Sequence, residues 1–262
     1  MNCQWIDTHC HLNYDYSPKT VADLLREAKE EGVSHFITIG TDLPTISQLE
    51  KISESFDEVF HTVGVHPHEA VSLSDVDLQI LEKASHHPKC RGIGEIGLDY
   101  YYDNSPRDIQ LTRLEQQLDL AVKVKQPIVI HSRDGESDLL PFLVSYSKKV
   151  DSSLVPGVIH CFTGTYEFGK ACLDLGFFIS FSGILTFKNA EDIRKSAMAF
   201  PIDRLLVETD SPFLAPIPFR GKKCETKMVK ITGQKLAEIK NLSPEKVAEQ
   251  TSLNAKKLFR IC

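Results

Sequence analysis

The chain has 262 residues, 42% of them hydrophobic and 25% charged, with 14 glycines and 13 prolines. This composition excludes a mostly disordered, collagen-like or mucin-like chain, and the length lets one large domain fold without disulfides. A net charge of −6 excludes binding to nucleic acid or anionic membrane through overall charge alone.

The cysteines are Cys3, Cys10, Cys90, Cys161, Cys172, Cys224 and Cys262. Their odd number and the absence of any C-x-x-C argue against a disulfide framework or a zinc ribbon, and point to a reducing compartment. The first residues carry no basic stretch followed by an apolar one, so no signal peptide is expected. The longest strongly apolar run, Leu175 to Phe187, contains Gly and Ser and falls short of the ~20 residues a bilayer requires. A soluble cytoplasmic protein, monomeric and without a stable protein partner, is the expectation.

Eight short β-rich runs recur along the chain, at Gln4–His9, Ser34–Gly40, Val59–Val65, Arg91–Ile96, Pro127–His131, Gly157–Cys161, Phe177–Phe181 and Arg204–Thr209. Their spacing of roughly 33 residues suits βα units. Helical patterns fill the gaps. Ser17-Pro18 is expected to start a helix with Val21, Leu24, Leu25 and Ala28 inward, closed by Gly32. Ser105-Pro106 opens another, with Leu111, Leu114, Leu118, Ala121 and Val122 on one face. Ser243-Pro244-Glu245 repeats the device before Val247, Ala248, Leu258 and Phe259. Near-continuous apolar strands fit a parallel sheet buried on both faces. The reading is an α/β fold: residues 1–262 form a single (β/α)8 barrel of TIM type. The alternative, an open doubly wound sheet, usually carries a Gly-rich fingerprint after its first strand, and none occurs here.

In such a barrel the chemistry lies at the C-terminal ends of the strands. Strand one ends in His9 and His11, strand three in His66 and His68, and strand four in Glu95 and then Asp99. Strand five ends in His131 and Arg133, strand six in His160, and strand eight in Glu208 and Asp210. Six of the ten histidines therefore sit at these ends. Alternation along a strand puts Asp7, His9 and His11 on one face. An isolated H-x-H is as readily a pair of hydrogen-bonded polar residues. His9, His11, Glu95, His131, His160 and Asp210 converging on one barrel mouth are a different matter, because burying them unpaired is costly. Imidazole with carboxylate is a ligand set for Zn, Mn, Fe or Ni, and six side chains exceed what one zinc takes. The count points to two metals about 3.5–4 Å apart, bridged by one carboxylate.

The motifs Asp7-Thr-His-Cys-His11, Thr62-Val-Gly-Val-His-Pro-His68, Gly94-Glu-Ile-Gly-Leu-Asp99, Ile130-His-Ser-Arg133, His160-Cys-Phe-Thr-Gly164 and Glu208-Thr-Asp-Ser-Pro212 occur in this order. Together they resemble the motif set of the TatD-type deoxyribonucleases, metal-dependent hydrolases among the amidohydrolase-like barrels. The resemblance implies a TIM-type barrel, a divalent-metal centre and phosphodiester hydrolysis on DNA. Carried over, one metal would be held by His9, His11, Glu95 and Asp210, and Glu95 would bridge to a second held by His131 and His160. Related barrels such as the phosphotriesterases bridge with a carboxylated Lys on strand four, and Cys90 to Gly97 offers none. The resemblance breaks after strand eight, where Cys224-Glu225-Thr226 stands in place of the family's usual Asn-Glu-Pro.

Around these residues, His66 is a candidate contact to a substrate phosphate, or a turn residue fixed by Pro67. Arg133 suits a phosphate oxygen or an ion pair with Asp134 or Glu136. Glu208 is expected to orient a ligand histidine, and Asp7 to do the same or to belong to the polar barrel interior. Arg220, Lys222, Lys223, Lys227 and Lys230 form a basic stretch after strand eight that could steer phosphate. Tyr100, Tyr101 and Tyr102 could stack on bases or simply pack their loop. Cys10 and Cys161 alternate with histidines and are expected to be packing residues.

The expected function is a divalent-metal-dependent phosphodiester hydrolase, a DNA exonuclease working through two ions of Zn, Mg or Mn and an activated hydroxide. The catalytic candidates are Asp210 as proton acceptor, Glu95 and His66, with Arg133, Arg220, Lys222 and Lys223 on the substrate. Two alternatives stay open: an ester or amide hydrolase of the same barrel class, such as an aminoacyl-tRNA deacylase, and a metal-loaded binding protein without catalysis.

Overall fold

A computed structural model describes residues 4–262; Cys3 lies outside the described residues. Strands and helices alternate along the chain: β1 (Trp5–Cys10), α1 (Val21–Glu30), β2 (Val33–Thr38), α2 (Ile46–Ser55), β3 (Val59–Val63), α3 (Asp77–Ser85), β4 (Cys90–Asp99), α4 (Arg107–Val124), β5 (Ile128–Arg133), α5 (Glu136–Lys149), β6 (Gly157–Ile159), α6 (Tyr166–Asp174), β7 (Phe178–Phe181), α7 (Glu191–Ala199), β8 (Leu205–Val207), α8 (Val229–Lys240) and α9 (Pro244–Phe259). The strands form one parallel eight-stranded sheet in sequential order, β1 to β8. A parallel bridge between Cys10 and Ser211 closes it, with the His11 N–H on the Ser211 carbonyl at 2.8 Å and the Asp210 N–H on the His9 carbonyl at 2.9 Å. This is a TIM-type (β/α)8 barrel, as the spacing of the β-rich runs predicts. No described helix is long and apolar enough to cross a membrane.

The core has two principal compartments. The larger lies between strands and helices and includes Trp5, Leu24, Leu25, Phe36, Leu114, Leu143 and Leu236. The second fills the lower barrel interior, where Ile6, Ile37, Val129, Val158, Phe178 and Leu206 meet Leu258, Phe259 and Ile261 from the end of the chain. Asn254 of α9 donates to the carbonyls of Ile202 and Leu205 at 2.9 and 2.8 Å, which locks this helix under the barrel. The lower end is thus plugged with apolar side chains, and polar residues collect at the other end.

Two helix starts differ from the sequence reading. Ser17 does not cap α1; it bonds to Asp15, and Thr20 forms a capping box with Asp23 three residues later. Ser105 does not cap α4; it donates to the His68 carbonyl at 2.9 Å and so ties the start of α4 to the loop after β3. Ser243 caps α9 as expected, accepting from the Lys246 N–H.

Candidate metal centre

Two strand irregularities set up the site. Between β1 and β2, Asp7 pairs with Phe36 but Cys10 pairs with Thr38, so β1 carries one extra residue. Between β4 and β5, Ile93 pairs with Ile128 but Ile96 pairs with Ile130, which places the second extra residue around Gly94-Glu95. Such bulges re-aim side chains and break strict alternation. Hence Ile6 lies in the barrel interior, while His9 and His11 beyond the bulge still reach the mouth. Gly97 keeps β4 close to β5: its φ is +147°, and a Cβ there would lie 1.9 Å from the His131 carbonyl oxygen.

The two oxygens of Glu95 serve different histidines. Oε2 lies 3.3 Å from Nε2 of His9. Oε1 lies 2.7 Å from Nε2 of His160, 3.1 Å from Nδ1 of His131 and 3.5 Å from Nε2 of His66. Asp210 Oδ1 lies 3.4 Å from Nε2 of His11 and 3.7 Å from Nε2 of His9. The six sequence-predicted candidates therefore come together, and so does His66. Their donor atoms form overlapping groups with the spacing of a metal site: His9, His11 and Glu95; His66, Glu95 and His131; and His9, His160 and Glu208.

The protonation pattern suits cation binding. His9 is fully buried, neither ring nitrogen has a hydrogen bond, and its ring stacks on His160 with centroids 3.9 Å apart. Burial, with His160 alongside, pushes its pKa down, so the ring is neutral and keeps a free lone pair. Burial opposes charge on Glu95, but His160, His66 and His9 outweigh it and hold the carboxyl well below its ordinary range. Burial likewise opposes charge on Asp210, and His11 and His9 overcome it, so this carboxylate is ionised at neutral pH. Burial also disfavours charge on His160, yet Glu95 and Glu208 raise it well above the usual histidine range. Two carboxylates thus demand positive charge at that spot. A buried, unsatisfied imidazole beside ionised carboxylates is a donor set that fits a divalent ion.

The supporting residues are only partly those the sequence suggests. Glu208 bonds Nδ1 of His160 at 3.2 Å and accepts the Cys161 N–H at 2.8 Å, as expected of a residue that orients a histidine. Asp7 does not orient one. It turns to β8, accepting from the Thr209 N–H at 2.9 Å and the Thr209 hydroxyl at 2.6 Å, because the bulge separates it from the face of His9 and His11. Asp99 carries an orienting role the sequence reading did not assign: its Oδ2 lies 3.0 Å from Nε2 of His131 and 2.9 Å from Nε2 of His68. Its place four residues after Glu95 on the same strand was the available signal. Gln110 and Gln117, both buried on α4, belong to no motif in the sequence. Gln110 clamps the N–H and carbonyl of Asp99, and Gln117 clamps those of Val65.

His66 accepts the His68 N–H at Nδ1, 3.1 Å away. A neutral ring then carries its proton on Nε2, which faces Glu95. His66 therefore makes the turn bond and faces Glu95 at the same time. Arg133 makes no ion pair with Asp134 or Glu136 among the described residues; its guanidinium lies over Tyr101 and Tyr102, 3.9 and 4.8 Å from their centroids. Tyr100 bonds to Asp138. Part of the basic stretch is neutralised: Lys227 pairs with Glu27 and Glu225, and Lys230 with Glu31, whereas Lys223 has only a loose ionic contact, 3.7 Å, with the exposed Asp15 carboxylate. Arg220 and Lys222 lie against Phe187 and Phe219. Cys224 is buried, and its N–H donates to the Pro212 carbonyl at 2.9 Å, anchoring the loop where the resemblance breaks. Cys10 is buried against the Ile37 carbonyl, and Cys161 contacts Ser182.

The chain is 40% identical over 255 residues to the uncharacterized metal-dependent hydrolase YabD of Bacillus subtilis, covering 97% of this chain and 98% of that one. It is 32% identical over 195 residues to a protein of Klebsiella pneumoniae named 3'-5' ssDNA/RNA exonuclease TatD, covering 74% and 73%. The crystal structure of the TatD homologue YjjV from Escherichia coli superposes with a TM-score of 0.91 at 27% identity, covering both chains completely. The TatD related DNase family model matches residues 6–260, the same span that builds the barrel and its histidine-lined mouth. The chain belongs to this family of metal-dependent hydrolases.

Proposed function

We propose that the protein is a divalent-metal-dependent phosphodiesterase on nucleic acid, an exonuclease that removes nucleotides from the ends of DNA strands. The observation that carries this reading is Glu95, whose two oxygens face two separate sets of imidazoles. That arrangement suits a pair of ions, one held by His9, His11, Glu95 and Asp210, the other by Glu95, His131 and His160. Zn, Mg and Mn are the candidate ions. When bound, the ions supply positive charge to the phosphoryl group and acidify the attacking water. The family match and the name of the Klebsiella relative support a nucleic-acid substrate.

In this reading the chain's own residues divide the remaining work. Asp210, buried yet held ionised, accepts the proton of the attacking water. His66 presents an N–H from Nε2 toward a phosphate oxygen, its orientation fixed by the His68 backbone. Arg133 offers a fork of donors at the end of β5, and Arg220, Lys222 and Lys223 hold the phosphate backbone at the rim.

The test is hydrolysis of end-labelled single-stranded DNA by protein stripped with chelator, then supplied with Mg, Mn or Zn. Shortening of the strand from one end, abolished by chelator and restored by metal, is the expected result. Full turnover in excess chelator, or none with any metal, would refute it.

A further inference from the structure

The metal centre is flanked by aromatic side chains that the barrel core does not use. Tyr14 and Phe213 are 37% and 49% exposed, and Tyr101 and Tyr102 are 59% and 55% exposed. Each is fixed by a tight turn that starts at a residue of the centre. The Tyr14 N–H donates to the carbonyl of His11 at 3.2 Å, and the Phe213 N–H to the carbonyl of Asp210 at 2.8 Å. The N–H groups of Tyr101 and Tyr102 both donate to Oδ1 of Asp99, at 3.1 and 2.9 Å. Tyr14, Phe213 and Tyr102 each stand three residues beyond the residue that anchors them, so their rings are indexed to His11, Asp210 and the Asp99 that holds His131, and not to the helical shell.

The rings fall into two groups. Tyr14 and Phe213 meet edge to face with centroids 5.8 Å apart, and both contact the ring of His11, at 5.1 and 6.2 Å. Tyr101 and Tyr102 meet edge to face at 5.0 Å, with the Arg133 guanidinium over both. The first group rises from the loops after β1 and β8, the second from the loop after β4 beside the end of β5. In a barrel of eight sequential strands these are opposite sides of the mouth.

Exposed apolar rings rimmed by polar groups mark a binding surface. Nucleobases have flat faces that stack on such rings, and in a duplex those faces are already covered by neighbouring bases. We infer that Tyr14 with Phe213, and Tyr101 with Tyr102 and Arg133, are two stacking walls that hold unpaired nucleobases on either side of the scissile phosphate. This inference rests on the nuclease reading above and adds to it a preference for single strands, which these side chains would impose. The guanidinium of Arg133 then has two partners, the tyrosine faces below it and the phosphate between the walls.

The test is a double-mutant cycle between protein rings and substrate bases. One oligodeoxynucleotide carries normal terminal nucleotides; its counterpart carries abasic units at the same positions. Binding is followed by fluorescence anisotropy in an Asp210→Asn background with metal present, and kcat/KM is measured in the otherwise wild-type protein. Normal ends should bind and react about 5- to 150-fold better than abasic ends, the effect of stacking one base. Phe213→Ala combined with Tyr14→Ala should remove most of that difference, and Phe213→Trp should retain it, which separates stacking from loss of the fold. Tyr101→Ala with Tyr102→Ala should likewise shrink the difference from the other side. A wild type that cleaves both oligonucleotides equally well, or an alanine variant that keeps the full difference, overturns the walls while leaving the nuclease intact. A wild type that cleaves neither overturns the nuclease reading, and the walls with it.

Discussion

Asp99 accepts a hydrogen bond from Nε2 of His131 at 3.0 Å, and this leaves Nδ1 of the same ring turned toward Glu95. Both ring nitrogens thus face carboxylates, and with the Nε2 proton held by Asp99, Nδ1 is the atom that would offer a lone pair to a cation in the centre. Asp99 is itself held by Gln110 and by the N–H groups of Tyr101 and Tyr102. Asp99→Ala should weaken metal affinity by about 10- to 100-fold, the usual loss for an outer hydrogen-bond partner of a ligating histidine. Metal titration with an indicator dye measures it. An unchanged affinity would mean that His131 needs no such support.

Glu95 and Asp210 should fail in different ways. Glu95→Ala removes the carboxylate shared between the histidine sets, so metal and activity are lost together. Asp210→Asn keeps one oxygen beside His9 and His11 but removes the proposed proton acceptor. It should retain much of its metal while kcat falls about 10²- to 10⁴-fold, the range for a missing general base. Elemental analysis and rates on one DNA substrate separate the two outcomes. A near-normal kcat in Asp210→Asn would move the proton to another acceptor, Glu208 being next in the site.

The basic stretch should split by its ion pairs. Lys227 bonds Glu27 at 2.6 Å and lies 3.0 Å from Glu225, so Lys227→Ala should lower stability by about 0.2–1 kcal/mol, the scale of a partly exposed pair. Lys222 has no carboxylate partner among the described residues. Lys222→Glu with Lys223→Glu should raise KM for DNA more than it lowers kcat, and the effect should shrink at high salt. An unchanged KM at low salt would make these lysines ordinary surface.

Glu27 gives an acid signature. Hydrogen bonds from Lys19 and then Lys227 pull its pKa from 4.5 to about 2. A depressed carboxylate contributes stability that is fully present above its ordinary pKa and is lost as pH falls through the depressed value. The advantage of wild type over Glu27→Gln in thermal midpoint should thus be constant near neutrality, decline from pH 4.5, and vanish near pH 2. Parallel curves down to pH 2 would show that the lysines do not act through this charge.

All eight strands and most site residues are legible because they depend on local patterns: apolar runs of strand length, and histidines directly after them. The features that escape depend on register. One extra residue in β1 turns Asp7 to Thr209 while His9 and His11 face the centre, and alternation alone places all three together. Asp99 is visible as a strand residue, but its bond to His131 arises only when β4 and β5 align. Phe213 escapes because it depends on the turn at Asp210, whose φ is +56°. Ser17 and Ser105 carry the right signal for a cap and use it elsewhere, on Asp15 and on the loop of His68.

Anomalous scattering from crystals grown with manganese tests most directly whether Glu95 joins two metal positions, as proposed. Two peaks are expected, one among His9, His11, Glu95 and Asp210, the other among Glu95, His131 and His160, with a Glu95 oxygen on each. A single peak, or two peaks of which one does not touch Glu95, would contradict that role of Glu95.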